Sequence, residues 1–447
     1  MSDQQPSDPW CRTVIDRKIA DLKPDPRNAR THSQRQLKQL ADSIQRFGFT
    51  NPVLIDGEGH ILAGHGRVAA ARRLNWNKVP CLLVGTMSAE DKRAYILADN
   101  KLALNAGWDE SLLASELAYL IEECPELDVA LTGFSISEID EILDLGGTDA
   151  SSEAEEDDAV PALEVGRPAV TQTGDLWRLG AHRLICGDAR DRDIYVRLLD
   201  GPAQMVFTDP PYNVPISGHV SSRGTRHREF AMASGEMSAS EFTAFLTDVF
   251  GLMSDNSSDG SIHFVCMDWR HQSEILRAGE ACYTDLKNLC VWVKGQGGMG
   301  TFYRSRHELI FVFKSGTGPH INSFELGQHG RYRTNVWSYP GVASGTKDAR
   351  ADHAMHPTVK PVAMVADAIK DCSKPGGVIL DPFGGAGSTL IAAHKTRRHA
   401  RLVEIDPHYC DTTILRWQRF GKADAIHDSS GKTFEELLLE RREAGHV

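Results

Sequence analysis

The segment 208–213 combines residue types that could hold an aromatic amine in place for reaction. It follows an apolar run at 205–207, and its two prolines, Pro210 and Pro211, must end a strand because neither offers an N–H to a sheet. The Asp209 carboxylate and the Pro210 carbonyl can accept both hydrogens of an exocyclic NH2 group, while the Tyr212 ring stacks on the base. Such acceptors let the nitrogen become tetrahedral and attack an electrophilic methyl group. The alternative is a rigid turn in which Asp209 only caps a helix.

The pattern of a second segment, 378–389, predicts a buried strand, a glycine-rich turn and the start of a helix. Gly385 and Gly387 let the backbone approach a ligand closely, and the helix start offers unpaired N–H groups. Glu404 follows about twenty residues on, at the end of the next predicted strand, where a carboxylate can bind ribose hydroxyls. An NAD or FAD site is the competing interpretation. The turn does not follow the dinucleotide-binding pattern G-x-G-x-x-G, however, so the turn and Glu404 together favour a nucleoside cofactor without a diphosphate.

These motifs need elements that bring them together. Apolar, β-rich runs recur at 204–208, 260–265, 289–293, 309–313, 377–380 and 400–404. Helical stretches separate them, and this alternation predicts a doubly wound α/β sheet. Because ligands on such sheets bind beyond the carboxyl ends of the strands, Asp209 and the glycine-rich turn are expected at one edge.

The N-terminal part predicts a smaller α+β domain. Ser33 is expected to cap a helix that ends at Gly48, a strand covers 52–55, and a helix begins after Gly64. A strand is predicted at 80–84 and a helix from Ser88 to about Leu104. Two acidic amphipathic helices follow, near 109–123 and 137–145. The run 146–158 has too little apolar surface to fold and is predicted to be disordered.

The net charge of −12 is distributed unevenly. Between Leu102 and Gly166 there are 18 acidic residues and neither Lys nor Arg, which leaves a charge of +6 on the rest of the chain. The acidity is therefore local and does not exclude a nucleic acid as partner. No apolar run of membrane-spanning length and no signal peptide is recognised. The nine scattered cysteines lack metal-ligand spacing, so we expect free thiols, a cytoplasmic location and no metal.

Three motifs of this sequence occur in the same order as in a known protein family. Asp-Pro-Pro-Tyr is followed far downstream by His-Pro-Thr-Val-Lys-Pro at 356–361 and then by the glycine-rich turn. This order resembles the β-class DNA amino-methyltransferases over about 174–421. The resemblance implies a Rossmann-like domain that uses S-adenosylmethionine as methyl donor. It also implies that the catalytic loop consists of Asp209, Pro210, Pro211 and Tyr212.

The resemblance also implies which residues hold the cofactor. Glu404 would bind the ribose, and Asp188 matches the Gly-Asp strand end of the family. The cofactor-binding residues predicted in this way are Asp188, Thr358, Lys360, Asp381, Phe383, Gly385, Gly387 and Glu404. For Asp188 a turn aspartate is the alternative, and for Lys360 a solvated lysine at a helix start.

An amine inside a duplex cannot reach such a loop, so the target base must be flipped out of double-stranded DNA. Two segments rich in Arg and Gly, near 213–235 and 294–350, are expected to contact the DNA, and the second also carries the aromatic residues Phe302, Tyr303, Tyr332 and Trp337. The predicted DNA contacts are Arg223, Arg226, Arg228, Arg304, Arg306, Arg331 and Arg333. Ordinary solvated loops are the alternative. In the family resembled, Asp at the first position of the tetrapeptide indicates adenine N6 rather than cytosine N4.

The N-terminal domain resembles the ParB/sulfiredoxin-like fold through 61–67 and the helix that follows. Gly64, Gly66 and Arg67 would form a phosphate site at a helix N-terminus, for a nucleotide or DNA. The sequence His65-Gly66-Arg67 departs from the Glu-Arg-Arg of ParB proteins, which puts nucleotide hydrolysis or nuclease action in doubt. The alternative is a purely structural helix start.

Together these features predict a ParB-like domain at 12–105, an acidic helical extension at 106–145, an acidic flexible linker at 146–170 and a methyltransferase domain at 174–425. The expected activity is adenine-N6 methylation of DNA, in a restriction-modification or similar setting. A cytosine-N4 enzyme remains an alternative, as does a ParB-like DNA-binding regulator with a weakly active methylase domain. An RNA or protein methyltransferase and a homodimeric assembly also stay open.

Overall fold

The computed structural model describes residues 14–26, 28–84, 87–145, 157–161, 168–214, 235–295, 302–324, 333–340 and 359–443. The chain divides into two compact units, Met1–Gly146 and Gly147–Val447. Within the described ranges, no helix is long and apolar enough to cross a membrane.

The first unit is built on a small mixed sheet. Its strands are β1 (Val14–Lys18), β2 (Val53–Ile55), β3 (Ile61–Ala63) and β4 (Lys78–Leu83). They lie in the order β1-β4-β2-β3, with β2 parallel to β4 and the other two pairs antiparallel. Its helices are α1 (Gln34–Phe47), α2 (His65–Arg73), α3 (Ala89–Leu102), α4 (Glu110–Glu123) and α5 (Ile136–Leu145).

Local signals for these helices are confirmed. The Ser33 and Ser88 side chains accept hydrogen bonds from the first turns of α1 and α3, and Gly48 ends α1 with a φ of 80°. These side chains satisfy N–H groups that a helix start leaves without partners. The acidic helices α4 and α5 also form close to their predicted bounds, and they pack on one another through Leu117, Ile121 and Ile139.

The second unit contains a ten-stranded mixed sheet. Its strands are β5 (Leu176–Leu179), β6 (His182–Cys186), β7 (Ala203–Thr208), β8 (Ser257–Met267), β9 (Asp285–Val293), β10 (His307–Lys314), β11 (Val336–Ser338), β12 (Val378–Asp381), β13 (His399–Glu404) and β14 (Ile426–His427). The order is β11-β9-β10-β8-β7-β12-β13-β6-β5-β14. The five central strands, β8, β7, β12, β13 and β6, run parallel, whereas β10 is antiparallel to both neighbours.

Helices cover both faces of this sheet. They are α6 (Arg192–Leu198), α7 (Ala239–Asp255), α8 (Gln272–Cys282), α9 (Val362–Cys372), α10 (Ser388–Lys395), α11 (Pro407–Gly421) and α12 (Phe434–Glu443). Met205 and Phe207 pack with α9, α10 and α11, while Val206 between them packs with α6, α7 and α8. Because both faces are buried, the central strands are continuously apolar, and this explains why the sequence predicted them.

The prediction of a flexible linker at 146–170 is wrong for its middle part. Residues 146–156 and 162–167 lie outside the described ranges, but 157–161 pack within the second unit. Asp157 pairs with Lys395 and accepts a hydrogen bond from Arg416 on its carbonyl, and Val160 is buried. Asp158 accepts the Val362 N–H at 2.9 Å. The composition of the run suggested disorder because these acids find their basic partners only in the folded second unit.

Candidate active site

Four carboxylates gather at one edge of the large sheet. Strands β6, β13, β12 and β7 are parallel neighbours, so their carboxyl ends lie side by side. Asp381 and Glu404 end β12 and β13, whereas Asp188 and Asp209 lie just beyond β6 and β7. Loops at this edge are where doubly wound sheets bind their ligands.

The loop after β7 is tied to the neighbouring strand. The Thr208 hydroxyl donates to Asp381 Oδ1 at 2.8 Å, which fixes the start of the loop beside the glycine-rich turn. At its other end Asn213 has a φ of 52°, and its side chain bonds the backbone of Gly235 and Met237. Asn213 thus anchors the proline-rich loop to the residues that precede α7.

Both oxygens of Asp209 already have partners. Tyr212 donates its hydroxyl to Oδ1 at 2.6 Å, and the Lys360 ammonium pairs with Oδ2. The Asp209 side chain keeps 22% of its surface exposed, whereas Lys360 keeps 5%. Burial raises the pKa of Asp209 above its ordinary value, and Glu308 adds to the rise while Lys360 opposes it. The loop therefore presents a carboxylate that is held on both sides and still reaches the surface.

Glu308 and Lys294 are the other charged residues around Asp209, and neither was predicted as a site residue from the sequence. Glu308 accepts from Tyr212 at 3.2 Å and pairs with Lys360 and Lys294. Glu308 lies at the start of β10, and because β10 is antiparallel its beginning meets the carboxyl edge of the parallel strands. The signal in the sequence was a charged residue before the apolar run 309–313, which one sequence cannot tell from a solvated strand end.

The glycine-rich turn forms a cradle between β12 and α10. Gly385 and Gly387 have φ values of 51° and 80°, in the left-handed region that favours glycine. A Cβ on Gly387 would lie 2.8 Å from Thr413 Cγ2, whereas a Cβ on Gly385 would meet nothing closer than the Phe383 carbonyl at 4.0 Å. The turn is packed against α11 behind Gly387 and open at Gly385.

Glu404 joins this cradle to the end of β13. Its Oε2 accepts the Gly385 N–H and its Oε1 accepts the Asp406 N–H, both at 2.8 Å. Burial raises its pKa to about 7. Each carboxylate oxygen has two acceptor positions, so the two backbone bonds leave room for hydroxyl donors. An open turn with a carboxylate beside it fits a nucleoside and its ribose.

The other predicted cofactor residues differ in their surroundings. Asp381 accepts from Thr208, Thr389 and the Phe383 N–H, and burial raises its pKa to about 6. Its contacts join the two loops. Burial opposes the ionisation of Asp188, but hydrogen bonds from Arg190 outweigh it and lower the pKa. Thr358 lies outside the described residues, and Lys360 contacts Asp209 rather than the glycine-rich turn.

The predicted DNA contacts fall into three groups. Arg223, Arg226, Arg228 and Arg331 lie outside the described residues. Arg304 and Arg306 are exposed between β9 and β10, beside Phe302 and Tyr303, whose exposed fractions are 87% and 81%. Arg333 instead pairs with Asp367 and Asp371 and stacks on Trp337, so contacts within the fold hold its guanidinium.

In the first unit, the predicted phosphate residues make structural contacts. Gly66 lies where α2 packs on α1, because a Cβ there would lie 3.1 Å from Leu40 Cδ1 of α1 and 2.9 Å from His32 Cε1 just before that helix. Arg67 donates from Nη1 to the carbonyls of Asn51, at 2.5 Å, and Pro52, and Gly64 lies against its guanidinium. Phosphate binding by these residues stays a prediction. Among the residues described, no group of acids, histidines and cysteines could hold a metal ion.

The sheet, its two helical layers and the carboxyl-edge site define a Rossmann-like domain of the methyltransferase class. Comparisons with known proteins identify the family. Residues 203–415 match the family described as DNA methylase, the N6/N4 type. Residues 7–101 match the ParB N-terminal domain, and residues 111–173 match the ParB-methyltransferase HTH domain. The chain therefore contains an N6/N4 DNA methylase domain together with both ParB-type domains, and the cofactor of this methylase family is S-adenosylmethionine.

Individual proteins are similar over parts of the chain. The ParB-like nuclease domain-containing protein YnaK of Escherichia coli is 48% identical over 80 residues, which are 18% of this chain and 92% of YnaK. The type II methyltransferase M.ScaI of Streptomyces caespitosus is 40% identical over 87 residues, 20% of this chain and 29% of that protein. Among solved structures, the cytosine-N4-specific PvuII DNA methyltransferase has 14% identity and a TM-score of 0.42, over 61% of this chain and 93% of that one.

The HTH match lies where the sequence analysis predicted an acidic extension and a linker. The sequence predicted the helices α4 and α5 there but no DNA-binding motif. A nucleic-acid-binding surface is usually basic, whereas the chain has neither Lys nor Arg between Leu102 and Gly166, which covers most of this match, so its composition did not indicate DNA binding there.

Proposed function

We propose that this chain transfers a methyl group from S-adenosylmethionine to N6 of adenine in double-stranded DNA, after the base is flipped out. The observation that carries the proposal is the hydrogen bond from Thr208 to Asp381. It joins the Asp-Pro-Pro-Tyr loop to the glycine-rich turn across the adjacent strands β7 and β12. The group that accepts the amine is therefore next to the turn that fits a nucleoside.

Phe383, Gly385, Gly387 and Glu404 would hold the cofactor, with Asp188 at the neighbouring strand end. Gly385 provides the open surface of the cradle, and Glu404 has acceptor positions left for ribose hydroxyls. When bound, S-adenosylmethionine supplies the electrophilic methyl group.

The catalytic loop acts on the amine. Asp209 and the Pro210 carbonyl accept the two hydrogens of the exocyclic NH2, which localises the nitrogen lone pair. Tyr212 stacks on the flipped base, and its hydroxyl is fixed by Asp209 and Glu308 at 2.6 and 3.2 Å. Asp209 does not have to be a strong base, because the amine loses a proton easily once it is methylated.

Adenine is proposed over cytosine because the tetrapeptide begins with Asp209 in place of the Ser common in N4 enzymes of the resembled class. The direct test incubates the protein with labelled cofactor and DNA, RNA or protein in parallel, followed by mass spectrometry of the nucleosides. We expect N6-methyladenine from DNA. N4-methylcytosine would contradict the choice of base, and label only in RNA or protein would contradict DNA as substrate.

The exposed aromatic pair Phe302 and Tyr303 is proposed to contact DNA, with Arg304 beside it. Stacking on a base contributes about 1–3 kcal/mol per aromatic side chain. Replacing Phe302 and Tyr303 by Ala should therefore weaken DNA binding roughly tenfold or more, with cofactor affinity unchanged. Leu439→Ala, on exposed α12, is the control. Fluorescence anisotropy with labelled duplex measures the effect, and equal affinities for both variants would contradict the assignment.

Cofactor binding should depend on pH through Glu404. Its pKa is raised from 4.5 to about 7 in the folded chain, so the group is half protonated near neutrality. Ribose hydroxyls donate best to the carboxylate, and affinity should therefore increase as the pH rises through about 7. Calorimetric titration of wild type and Glu404→Gln tests this prediction. A dependence that is the same in both proteins would assign the titration to another group, such as Asp381.

For the first unit, we propose nucleotide or DNA binding at the start of α2, supported by the position of Gly64 and Arg67 and by the ParB N-terminal match. The relevant partner of the whole chain is double-stranded DNA. A cytoplasmic location and a homodimer remain expectations of this proposal.

A further inference from the structure

A cluster of four charged side chains lies around the catalytic loop, and each comes from a different element. Asp209 follows β7, Glu308 begins β10, Lys294 follows β9, and Lys360 precedes α9. Lys360 pairs with Asp209 and, at 3.2 Å, with Glu308, whose other oxygen pairs with Lys294. The two cations and two anions cancel in charge.

Such a cluster requires Lys360 to stay charged. An ammonium group that is 5% exposed is costly to bury unless charged acceptors surround it. Burial lowers the pKa of Lys360, but Asp209 and Glu308 reverse this and raise it well above its ordinary value. Burial also opposes the ionisation of Glu308, but Lys360 and Lys294 lower its pKa to about 2. The ion pairs therefore favour the charged form of both Lys360 and Glu308.

Lys360 also contacts the second catalytic side chain. Its Nζ lies 5.6 Å from the centroid of the Tyr212 ring, within the range of a cation–π interaction. Tyr212 is thus held by its ring at Lys360 and by its hydroxyl at Asp209 and Glu308. One ammonium group touches both the residue that accepts the amine and the ring that stacks on the base.

We propose that Lys360, anchored by Glu308, is a positioning residue that keeps Asp209 ionised and oriented toward the target amine, and is not a contact of the cofactor. This inference rests on the proposed function. Each Asp209 oxygen uses one acceptor position for Lys360 or Tyr212 and retains another for the incoming N–H. Lys360 thereby sets the charge of Asp209 without touching the substrate.

The pH dependence of the reaction follows from the groups that face Asp209. These are Lys360, Glu308, Tyr212, Cys266 of β8 and Asp381 of β12, and Lys294 acts through Glu308. Without Lys360, the remaining direct neighbours are acidic or neutral, so Asp209 should be protonated at higher pH. Without the charge of Glu308, Asp209 should be protonated at lower pH. The two changes are expected to move the acid limb of the pH–rate profile in opposite directions, to higher pH without Lys360 and to lower pH without the Glu308 charge.

The test compares Lys360→Met, Lys360→Arg and Glu308→Gln with wild type, in full-length protein. Single-turnover methylation of duplex DNA is measured from about pH 5 to 9, together with the Kd for S-adenosylmethionine. For Lys360→Met we expect a rate at least about tenfold lower, an acid limb about one unit higher and a Kd within about twofold of wild type. Lys360→Arg should recover part of the rate, and Glu308→Gln should lower the acid limb. Lys432→Met, a surface lysine paired with Glu440, is the control.

Loss of cofactor binding in Lys360→Met with an unmoved acid limb would overturn the inference and make Lys360 a cofactor residue. If Lys360→Met does not fold, Glu308→Gln provides the test. An acid limb of its pH–rate profile that is unmoved or lies at higher pH than in wild type would contradict the proposal. A carbon-13 NMR titration of the Asp209 carboxyl in wild type and variants needs no turnover. It separates failure of this inference, in which the titration is unchanged, from failure of the proposed function, in which the titration shifts but DNA is not methylated.

Discussion

Replacing Asp209 by Asn is expected to lower DNA methylation roughly 100- to 1000-fold, the range found when one well-placed polar group is removed from a reaction centre. The amide keeps the size of the side chain but loses the charge and one of its two acceptor oxygens. It can no longer accept from Lys360, Tyr212 and the target amine together. The fold should survive, because Lys360 keeps Glu308 as its partner and Tyr212 keeps its second acceptor.

Two measurements make this prediction specific. The Kd for S-adenosylmethionine should stay within about threefold of wild type, because Asp209 is not among the cradle residues. Asp428→Asn, which removes an exposed carboxylate paired with Arg178 near the opposite end of the sheet, is the matched control and should be as active as wild type. Methylation by Asp209→Asn at the rate of this control would contradict the catalytic assignment.

The second large effect is expected at Gly385, where replacement by Val should weaken S-adenosylmethionine binding about 100-fold or more. The side chain would extend into the open surface of the cradle, where a Cβ meets no atom closer than the Phe383 carbonyl oxygen at 4.0 Å. A displaced cofactor would lose hydrogen bonds to the cradle, and the loss of two such bonds is enough to weaken binding about 100-fold. The left-handed φ of 51° adds a cost to stability of about 1–2 kcal/mol.

Gly387→Ala provides the comparison within the same turn. Its Cβ would point away from the cradle and meet Thr413 at 2.8 Å, so the expected result is a lower free energy of unfolding. Thermal unfolding and calorimetric binding separate the two outcomes. If Gly385→Val unfolds like Gly387→Ala and its folded fraction binds cofactor normally, the cradle is not the cofactor site.

Much of the site could be predicted because its residues follow their strands directly. Asp209, Asp381 and Glu404 lie at or just beyond the ends of apolar parallel strands, and the strand order brings these ends together. The prolines and glycines mark the turns by their own backbone limits. Sequence and topology therefore point to the same edge without knowledge of side-chain contacts.

The remaining features of the site and fold could not be predicted, because they depend on contacts between segments that are distant in sequence. Glu308 reaches the site only because β10 runs antiparallel, and the direction of that strand is not written in its own residues. Lys360 was predicted near the cofactor from its motif, but its partners come from β7 and β10. Arg333 was predicted to contact DNA from its own segment, but its guanidinium pairs with Asp367 and Asp371 of α9. Asp157 resembled a linker residue because Lys395 is far away in sequence.

We propose that the chain methylates adenine in DNA through Asp209. The most direct measurement is modification-sensitive sequencing of DNA from cells that express either wild type or Asp209→Asn at equal levels. We expect N6-methyladenine at a defined sequence with wild type and only background with Asp209→Asn. Equal adenine methylation with both proteins, or methylated cytosine in place of adenine with wild type, would contradict it.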